Sequence, residues 1–228
     1  MKHLNLILCV VVTCLLSCNS NPNKNKSTKD TGKKIAFVTT KSVKTDSSYS
    51  EKDKKEIQLQ VRNMLNWVES KKSFDLIPVL TDSKDTLCIG FDLQKVKVNL
   101  EILRSTGYFS TEFIDNYNQI LLTLDKEMKE KKFGPWPTGE LPPFNFANDV
   151  DPWCDCQDNM DYNSVDVYVV NLDSETGELY WKWGKLPADA DVSWKKFSYK
   201  FKVKKEDGKW KISYLEGFDY KQSVSFVG

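Results

Sequence analysis

Hydrophobic and polar residues alternate most regularly between residues 195 and 214. Asp207-Gly208 interrupts the alternation, and this dipeptide readily adopts the positive φ angles of a two-residue hairpin turn. The pattern therefore predicts two antiparallel strands with one aromatic face and one lysine face. The face expected to lie against the core carries Phe197, Tyr199, Phe201, Val203, Trp210, Ile212 and Tyr214.

Apolar residues recur every three or four positions in three earlier segments, which predicts three amphipathic helices. The first begins at Ser50, which stands in capping-box spacing with Asp53. The second begins after Asp92 as its N-cap and ends at Gly107, and the third begins after Ser110. Their apolar stripes are Ile57, Val61, Met64, Leu65 and Val68, then Leu93, Val96, Leu100 and Leu103, then Phe113, Tyr117, Ile120, Leu121, Leu124 and Met128.

Strand patterns follow the helices. Residues 164–172 and 178–185 are rich in valine and aromatic residues, and the nearly continuous apolarity of 165–170 predicts a central strand covered on both sides. Residues 74–91 are expected to cross between helices in extended pieces. Residues 134–163 have no sustained period, and a loop of this length is typically functional or covalently pinned; both interpretations stay open.

Helices first and antiparallel strands afterwards indicate an α+β fold. We expect about three N-terminal helices packed on one face of a curved antiparallel sheet. Residues 34–228 would form a single domain of this kind, since their number suits one sizeable core.

The amino terminus has the pattern of a secretion signal. Lys2 and His3 precede an apolar run from Leu4 to Leu16, which is shorter than the roughly 20 residues needed to span a bilayer. The run ends in Leu15-Leu16-Ser17-Cys18, which resembles the lipobox of bacterial lipoproteins. The resemblance implies that residues 1–17 are a signal peptide and that Cys18 is diacylated and becomes the first mature residue.

Residues 18–33 contain no aliphatic or aromatic side chain beyond the predicted lipid site, which is typical of a flexible tether. Acyl chains on Cys18 would anchor the domain to a membrane, since each buried CH₂ contributes about 0.8 kcal/mol. Asn19 resembles the residue found in lipoproteins that are not retained at the inner membrane. This implies a cell-envelope protein, anchored by lipid and expected at the outer membrane; which side it faces is left open.

Composition narrows the possible chemistry. His3 is the only histidine, and it would leave with the signal, so the mature chain would lack Ser-His-Asp catalysis and histidine metal sites. Loss of Lys2 would leave 32 of the 33 basic residues against 32 acidic ones. A neutral mature chain gives no reason to expect binding to nucleic acid.

Three cysteines would remain besides Cys18, namely Cys88, Cys154 and Cys156. Thiols outside the cytoplasm tend to pair, but an odd number leaves one over. We expect a disulfide from Cys88 to Cys154 or Cys156, which would pin the long loop to the domain. The alternatives are a small ring closed by Cys154 and Cys156, and a redox-active Cys-x-Cys pair.

Several short runs resemble the nuclear transport factor 2-like (cystatin-like) superfamily, including uncharacterised bacterial lipoproteins placed in it. They are the Trp67 helix, the run 105–110 (STGYFS), Asp151-Pro152-Trp153, and the run 207–213 (DGKWKIS). The resemblance covers about residues 50 to 220. It implies a sheet that curls around the helices into a cone with a pocket at the open end, and it carries no specific chemistry.

Aspartates are concentrated in the long loop and the strand after it: Asp149, Asp151, Asp155, Asp158, Asp161 and Asp166. Calcium favours several oxygen ligands, but the spacing does not fit an EF-hand loop and cysteines interrupt the run. We therefore predict no metal site, and no feature of the sequence calls for a cofactor.

Aromatic residues are the candidates for binding. Trp181 and Trp183 share one strand face, Trp153 is the tryptophan expected outside the core, and Tyr168 lies on the preceding strand. Exposed aromatic residues bury large areas at low entropic cost when they bind a ligand.

The sequence thus predicts a membrane-anchored, non-catalytic module that binds an envelope protein or a small ligand. The alternative is a small lyase or isomerase with an Asp/Tyr pair in a cone-shaped pocket, for which Asp166, Tyr168 and Tyr199 are the candidates.

Overall fold

The computed structural model of the protein describes residues 50–70, 74–157 and 161–227. The predicted signal peptide, Cys18 and tether lie outside the described residues, as does Asp158. The described chain is α+β, with five helices and two antiparallel sheets. The helices are α1 (Glu51–Ser70), α2 (Leu93–Thr106), α3 (Thr111–Lys129), α4 (Val192–Lys196) and α5 (Tyr220–Ser223).

The predicted helix boundaries are confirmed by their caps. Ser50 and Asp53 form the reciprocal capping box at the start of α1, where the Asp53 backbone N–H donates to Ser50 Oγ at 3.1 Å. The Asp92 carboxylate accepts from the second and third backbone N–H groups of α2, and Gly107 ends that helix with φ 71°. Ser110 Oγ accepts from the third backbone N–H of α3. Side-chain caps satisfy donors that have no partner inside a helix.

Residues 74–91 contribute two strands to a small sheet that the sequence pattern did not specify. Its strands are β1 (Val79–Thr81), β2 (Leu87–Phe91) and β3 (Trp136–Pro137), in the order β1-β2-β3. This sheet packs against α3 through β2, where the Phe91 backbone N–H donates to the buried carboxylate of Asp125 at 2.8 Å. The extended pieces predicted here are therefore paired strands.

The carboxyl-terminal strands form an antiparallel meander. They are β4 (Val165–Leu172), β5 (Thr176–Trp183), β6 (Tyr199–Glu206) and β7 (Lys209–Leu215), in the order β4-β5-β6-β7. The predicted hairpin joins β6 to β7, with Asp207 at φ 55° and Gly208 at φ 71°. Positive φ at both turn residues is the type I′ geometry that matches strand twist.

Strand β4 is an edge strand, so the prediction of a central, doubly covered strand is wrong. Val165 and Val167 point into the core, but a bulge after Val169 leaves Val170 61% exposed. Helix α1 protects part of the open edge, because Arg62 Nε donates to the Val165 carbonyl at 2.8 Å and Gln58 Oε1 accepts from the Val167 N–H at 3.2 Å. Side chains that occupy backbone groups of an edge block further strand pairing there.

A second bulge changes the predicted face of β7. Phe201 pairs with Leu215 and Val203 pairs with Ile212, so one extra residue lies on β7 between them. Trp210 and Ile212 remain buried as predicted, but Tyr214 turns to the opposite face and Leu215 takes its place in the core. A one-residue bulge reverses the side-chain alternation beyond it.

The core lies between the inner face of the meander and helices α1 and α3. The aromatic side chains predicted for the hairpin are at its centre, since Tyr199, Phe201 and Trp210 are each about 1% exposed. The described part of the loop at 134–157 adds Phe144, Phe146 and other buried rings. Among the described helices, none is both long enough and apolar enough to cross a bilayer.

Candidate binding surface

Two of the predicted binding tryptophans belong to the core. Trp181 and Trp183 lie on the inner face of β5, and their ring centroids are 4.8 Å apart. Both are buried, and both indole Nε1 atoms lack a hydrogen-bond partner. The prediction that these residues form an exposed binding surface is therefore wrong, because the alternation of β5 places them on its buried inner face.

Trp153 is also buried, with 4% of its surface exposed, and the prediction that it lies outside the core is wrong. Its ring centroid lies 4.5 Å from that of Phe218 and 5.5 Å from that of Phe109. The ring centroid of Trp67 lies 6.2 Å from that of Trp153. Three of the four runs that carry the family resemblance thus meet in one aromatic cluster, which spacing along the chain does not reveal. One edge of Trp153 still lines a cleft.

The disulfide joins Cys154 to Cys156, with a Cα–Cα distance of 5.2 Å. Cys88 is a buried free thiol on β2. The pKa of the Cys88 thiol is raised, mainly because the thiol is buried. The expected bridge from Cys88 to the loop is therefore wrong: Cys88 lies in the small sheet, while the loop cysteines close their own turn around Asp155, which has φ 51°.

Tyr168 is the sequence candidate that reaches the surface, with 43% of it exposed. It lies directly opposite Tyr180 on β5, and the two rings stack at 5.2 Å with an interplanar angle of 8°. Tyr180 is in turn opposite Lys200 on β6, and Lys202 is opposite Tyr214 on β7. We call the outward residues of these two rows, together with Lys182 on β5, the tyrosine face. Its residues are Tyr168, Tyr180, Lys182, Lys200, Lys202 and Tyr214.

Two lysines of the tyrosine face contact its tyrosine rings. Lys182 Nζ lies 5.6 Å from the centroid of the Tyr180 ring, and Lys202 Nζ lies 6.0 Å from that of Tyr214. Lys202 also forms a 2.8 Å ion pair with Glu178. The tyrosine face thus combines aromatic rings with positive charge, and complementary charge at an interface favours specific recognition.

A groove of about 780 Å³ runs over this face. Glu112 and Asn116 of α3 border it, and so does Asp219 after β7. Desolvation and the nearby charge of Asp219 raise the pKa of Tyr214 to about 12, so its hydroxyl stays protonated at neutral pH. It donates to Asp219 Oδ2 at 3.4 Å. The groove is therefore apolar at its tyrosines and polar at its border.

The residues considered for an Asp/Tyr active site are not brought together in a pocket. Asp166 and Tyr168 lie on the outer face of β4, and Asp166 forms a 3.3 Å ion pair with Arg62. Tyr199 lies on the inner face of β6, fully buried. A sheet separates the two sets, so they do not surround a common reacting atom.

The acidic loop gathers no metal-binding cluster in the part that the structure describes. Asp149 bonds to the side chain of Gln157, while Asp161 caps the 3₁₀ turn before β4. Asp151 behaves differently, because it turns toward the interior and burial raises the pKa of its carboxyl.

Sequence reasoning missed Tyr180 and the lysines of the tyrosine face as binding candidates. The signal was available, since Glu178, Tyr180 and Lys182 alternate with Leu179, Trp181 and Trp183 on one strand. Once the tryptophans are placed inside, period-two alternation places Tyr180 outside. No protein-family model, curated protein or solved structure matches the chain.

Proposed function

We propose that the protein is a lipid-anchored lipoprotein of the cell envelope, expected at the outer membrane, and that it acts as a non-catalytic binding module. Its tyrosine face would be the contact surface for an envelope protein. The observation that carries this proposal is the stacked pair Tyr168 and Tyr180 on the outer side of the sheet, where Tyr168 is 43% exposed and Tyr180 lines a broad groove.

Tyrosines suit this role because they are amphipathic and have few rotatable bonds. They bury large areas against a partner at low entropic cost, and tyrosine is enriched among residues that dominate protein interfaces. Stacking already restricts Tyr168 and Tyr180 in the unbound protein, so binding would order them little further. Val170 extends the same surface with an exposed apolar side chain on the bulge of β4.

The open form of the groove favours a protein over a small molecule. Small-ligand sites usually enclose most of the ligand surface. Residues from all four strands of the meander line this groove, and α3 borders it on one side. A partner segment laid across the strands would contact both tyrosine rows at once.

The finer fold assignment is also a proposal. We infer a curved, cone-like sheet of the nuclear transport factor 2-like type, with the helices in its concave side. The order β4-β5-β6-β7 and the packing of α1 and α3 on one face support it. The proposed anchor rests on Leu15-Leu16-Ser17-Cys18 and on the polar tether that follows.

Affinity capture from detergent-solubilised envelope tests the binding role. The full chain, the double variant Tyr168→Ala/Tyr180→Ala and the control Leu59→Ala/Val98→Ala would each be used as bait. The control truncates two exposed apolar residues on α1 and α2, away from the tyrosine face. We expect a protein enriched about tenfold or more by the first and third baits and lost with the second.

Quantitative mass spectrometry of proteins and small molecules reads out the capture. Equal recovery of every captured protein by all three baits would contradict the proposal. Enrichment of a small molecule alone would also contradict it, since the proposed partner is a protein.

A further inference from the structure

One edge of the meander is closed, whereas the other is partly open. At the β7 edge, the Ser110 backbone N–H donates to the Ile212 carbonyl at 2.9 Å, and the Ile212 N–H donates to the Tyr108 carbonyl at 2.8 Å. Residues 108–110 therefore occupy that edge. At the β4 edge, the hydrogen bonds from α1 reach only as far as Val167. Within the part of the chain that the structure describes, no other element bonds to the open side of β4 beyond that residue.

The alternation of β4 determines which of its backbone groups are open. The Val165 carbonyl and the Val167 N–H both bond to side chains of α1, so they lie on the side away from β5. In an antiparallel ladder, every second residue directs its backbone groups to the same side. Val169 continues this order, because it is paired with Leu179 ahead of the bulge. Its N–H and carbonyl, together with the Val167 carbonyl, therefore face outward without a partner among the described residues.

This short run lacks most of the features that keep natural sheet edges from pairing. Residues 168–171 read YVVN, with no lysine, proline or carboxylate. Tyr168 and Val170 are 43% and 61% exposed. The bulge after Val169 bends the strand, and so limits any added strand to a few residues. Exposed edges with apolar side chains and unpaired backbone groups are templates for pairing with another strand.

We propose that the envelope protein bound by the tyrosine face contributes, besides its contact with that face, a short extended segment that pairs with β4 at Val169. Strand addition supplies affinity through backbone hydrogen bonds and specificity through alternate side chains. The added strand would lie about 4.8 Å from β4, so its outward side chain would extend the row formed by Tyr180 and Tyr168. We expect an aromatic or β-branched residue there, because such cross-strand pairs stabilise a sheet. The proposal rests on the binding role proposed for the tyrosine face and names how the partner is held.

A second copy of the chain fits this edge less well than a short segment of another protein. If two β4 strands paired antiparallel about Val169, residues 171–173 of each copy would lie beside residues 165–167 of the other. At that position, the side chains of Arg62 and Gln58 already bond to the backbone of β4. Only a segment that leaves the sheet at this point avoids α1.

Proline at position 169 tests the backbone bond. Proline lacks the N–H, and since this N–H does not pair with β5, the ladder between β4 and β5 stays intact. Val169→Ala truncates the same side chain but keeps the N–H, so it is the matched control. Both full-length variants would be baits for detergent-solubilised envelope, beside the parent and Tyr168→Ala/Tyr180→Ala. We expect Val169→Pro to recover about tenfold less of the captured protein than Val169→Ala does.

Comparison of the four baits distinguishes strand pairing from the proposed function itself. Equal recovery by Val169→Pro and Val169→Ala, with loss in Tyr168→Ala/Tyr180→Ala, would overturn strand pairing and leave the tyrosine face as the contact surface. Equal recovery by all four baits, or capture of no protein by the parent, would contradict both proposals. Urea denaturation followed by circular dichroism checks that Val169→Pro is folded.

Amide hydrogen exchange of the unsubstituted full chain needs no variant, and so it decides between the outcomes even if Val169→Pro does not fold. The probe is the protein that the parent bait captures, and mass spectrometry at single-residue resolution follows the exchange. We expect the Val169 N–H to exchange at least about tenfold more slowly in the complex, because it gains a partner, while the Val167 N–H, already bonded to Gln58, changes little. Unchanged exchange at Val169 would overturn the proposal. The same slowing on concentrating the chain alone would also overturn it, since the added strand would then come from a second copy.

Discussion

The hydroxyl of Tyr199 donates a 2.5 Å hydrogen bond to the carbonyl oxygen of Pro152. The same hydroxyl accepts from the Gly217 backbone N–H at 2.9 Å. One buried group thus joins the disulfide loop, strand β6 and the turn after β7. Gly217 has no room for a side chain, because a Cβ there would overlap the Pro152 backbone.

Removal of this hydroxyl should cost considerable stability. Tyr199→Phe leaves the Pro152 carbonyl and the Gly217 N–H without their partner inside the protein, so we expect the free energy of unfolding to fall by about 1–3 kcal/mol. Urea denaturation followed by far-ultraviolet circular dichroism measures it. The control Tyr220→Phe removes a half-buried hydroxyl that shares a 3.0 Å hydrogen bond with the Thr123 hydroxyl, and the loss of stability should be smaller. Equal losses would show that the Tyr199 hydroxyl does not join these segments.

The bond from Trp210 Nε1 to Asp53 Oδ1, 2.9 Å long, connects β7 to the first turn of α1. Hydrogen bonds from Ser50 and then from Trp210 lower the pKa of Asp53 from 3.8 to about 2. A carboxyl whose pKa is lower in the folded state adds stability above pH 3.8, and this stability is lost as the pH falls through about 2. Asp53→Asn should therefore lower the free energy of unfolding at pH 7 by about 1 kcal/mol, with the difference disappearing near the lower pKa.

Denaturation of Asp53→Asn and of the parent across the acid range measures this difference. Glu51→Gln is the matched control, since it removes a charge from the same helical turn without a bond to Trp210, and its effect at neutral pH should be smaller. A constant difference between parent and Asp53→Asn from neutral to acid pH would contradict the lowered pKa.

The reactivity of the Cys88 thiol follows from its burial. Cys88 is 8% exposed and desolvation raises its pKa, so little of it is thiolate at neutral pH. We expect residues 34–228 to show one thiol per molecule, which reacts slowly with an aromatic disulfide reagent when folded and quickly in guanidinium chloride. Mass spectrometry of peptides should find Cys154 linked to Cys156. A peptide in which Cys88 is linked to either loop cysteine would contradict the structure.

The helices were predictable because local chemistry defines their ends. Asp92, Gly107 and Ser110 each satisfy a terminal backbone group or provide the left-handed turn that ends a helix, whatever packs around them. The hairpin at Asp207-Gly208 was predictable for the same reason. The small sheet was not, because its shortest strand has only two residues and forms only by pairing with β2.

The wrong predictions concern residues whose burial is set by contacts between distant parts of the chain. Val170 belongs to an apolar run that resembles a buried strand, and only the bulge of β4 turns it outward. The bulge of β7 likewise turns Tyr214 out of the core. Trp153 lies in a polar, proline-containing loop, but rings from α1, α3 and the turn after β7 surround it.

The tyrosine face was predictable in part. Tyr168 was a candidate from the alternation of its own strand, whereas its stacking on Tyr180 depends on the register between β4 and β5. The aromatic cluster around Trp153 could not be predicted from the sequence, since Trp67 and Trp153 are far apart along the chain and meet only when it folds.

Site-specific photocrosslinking in intact cells tests the central claim most directly. A benzophenone amino acid would replace Tyr168 in the full chain, with the same substitution at Leu59 on α1 as the control for an exposed position elsewhere. Our account predicts that position 168 forms a crosslink to one envelope protein, and that Leu59 does not. A crosslink pattern that is the same at both positions, or a partner captured only through Leu59, would contradict the assignment of the tyrosine face as the binding surface.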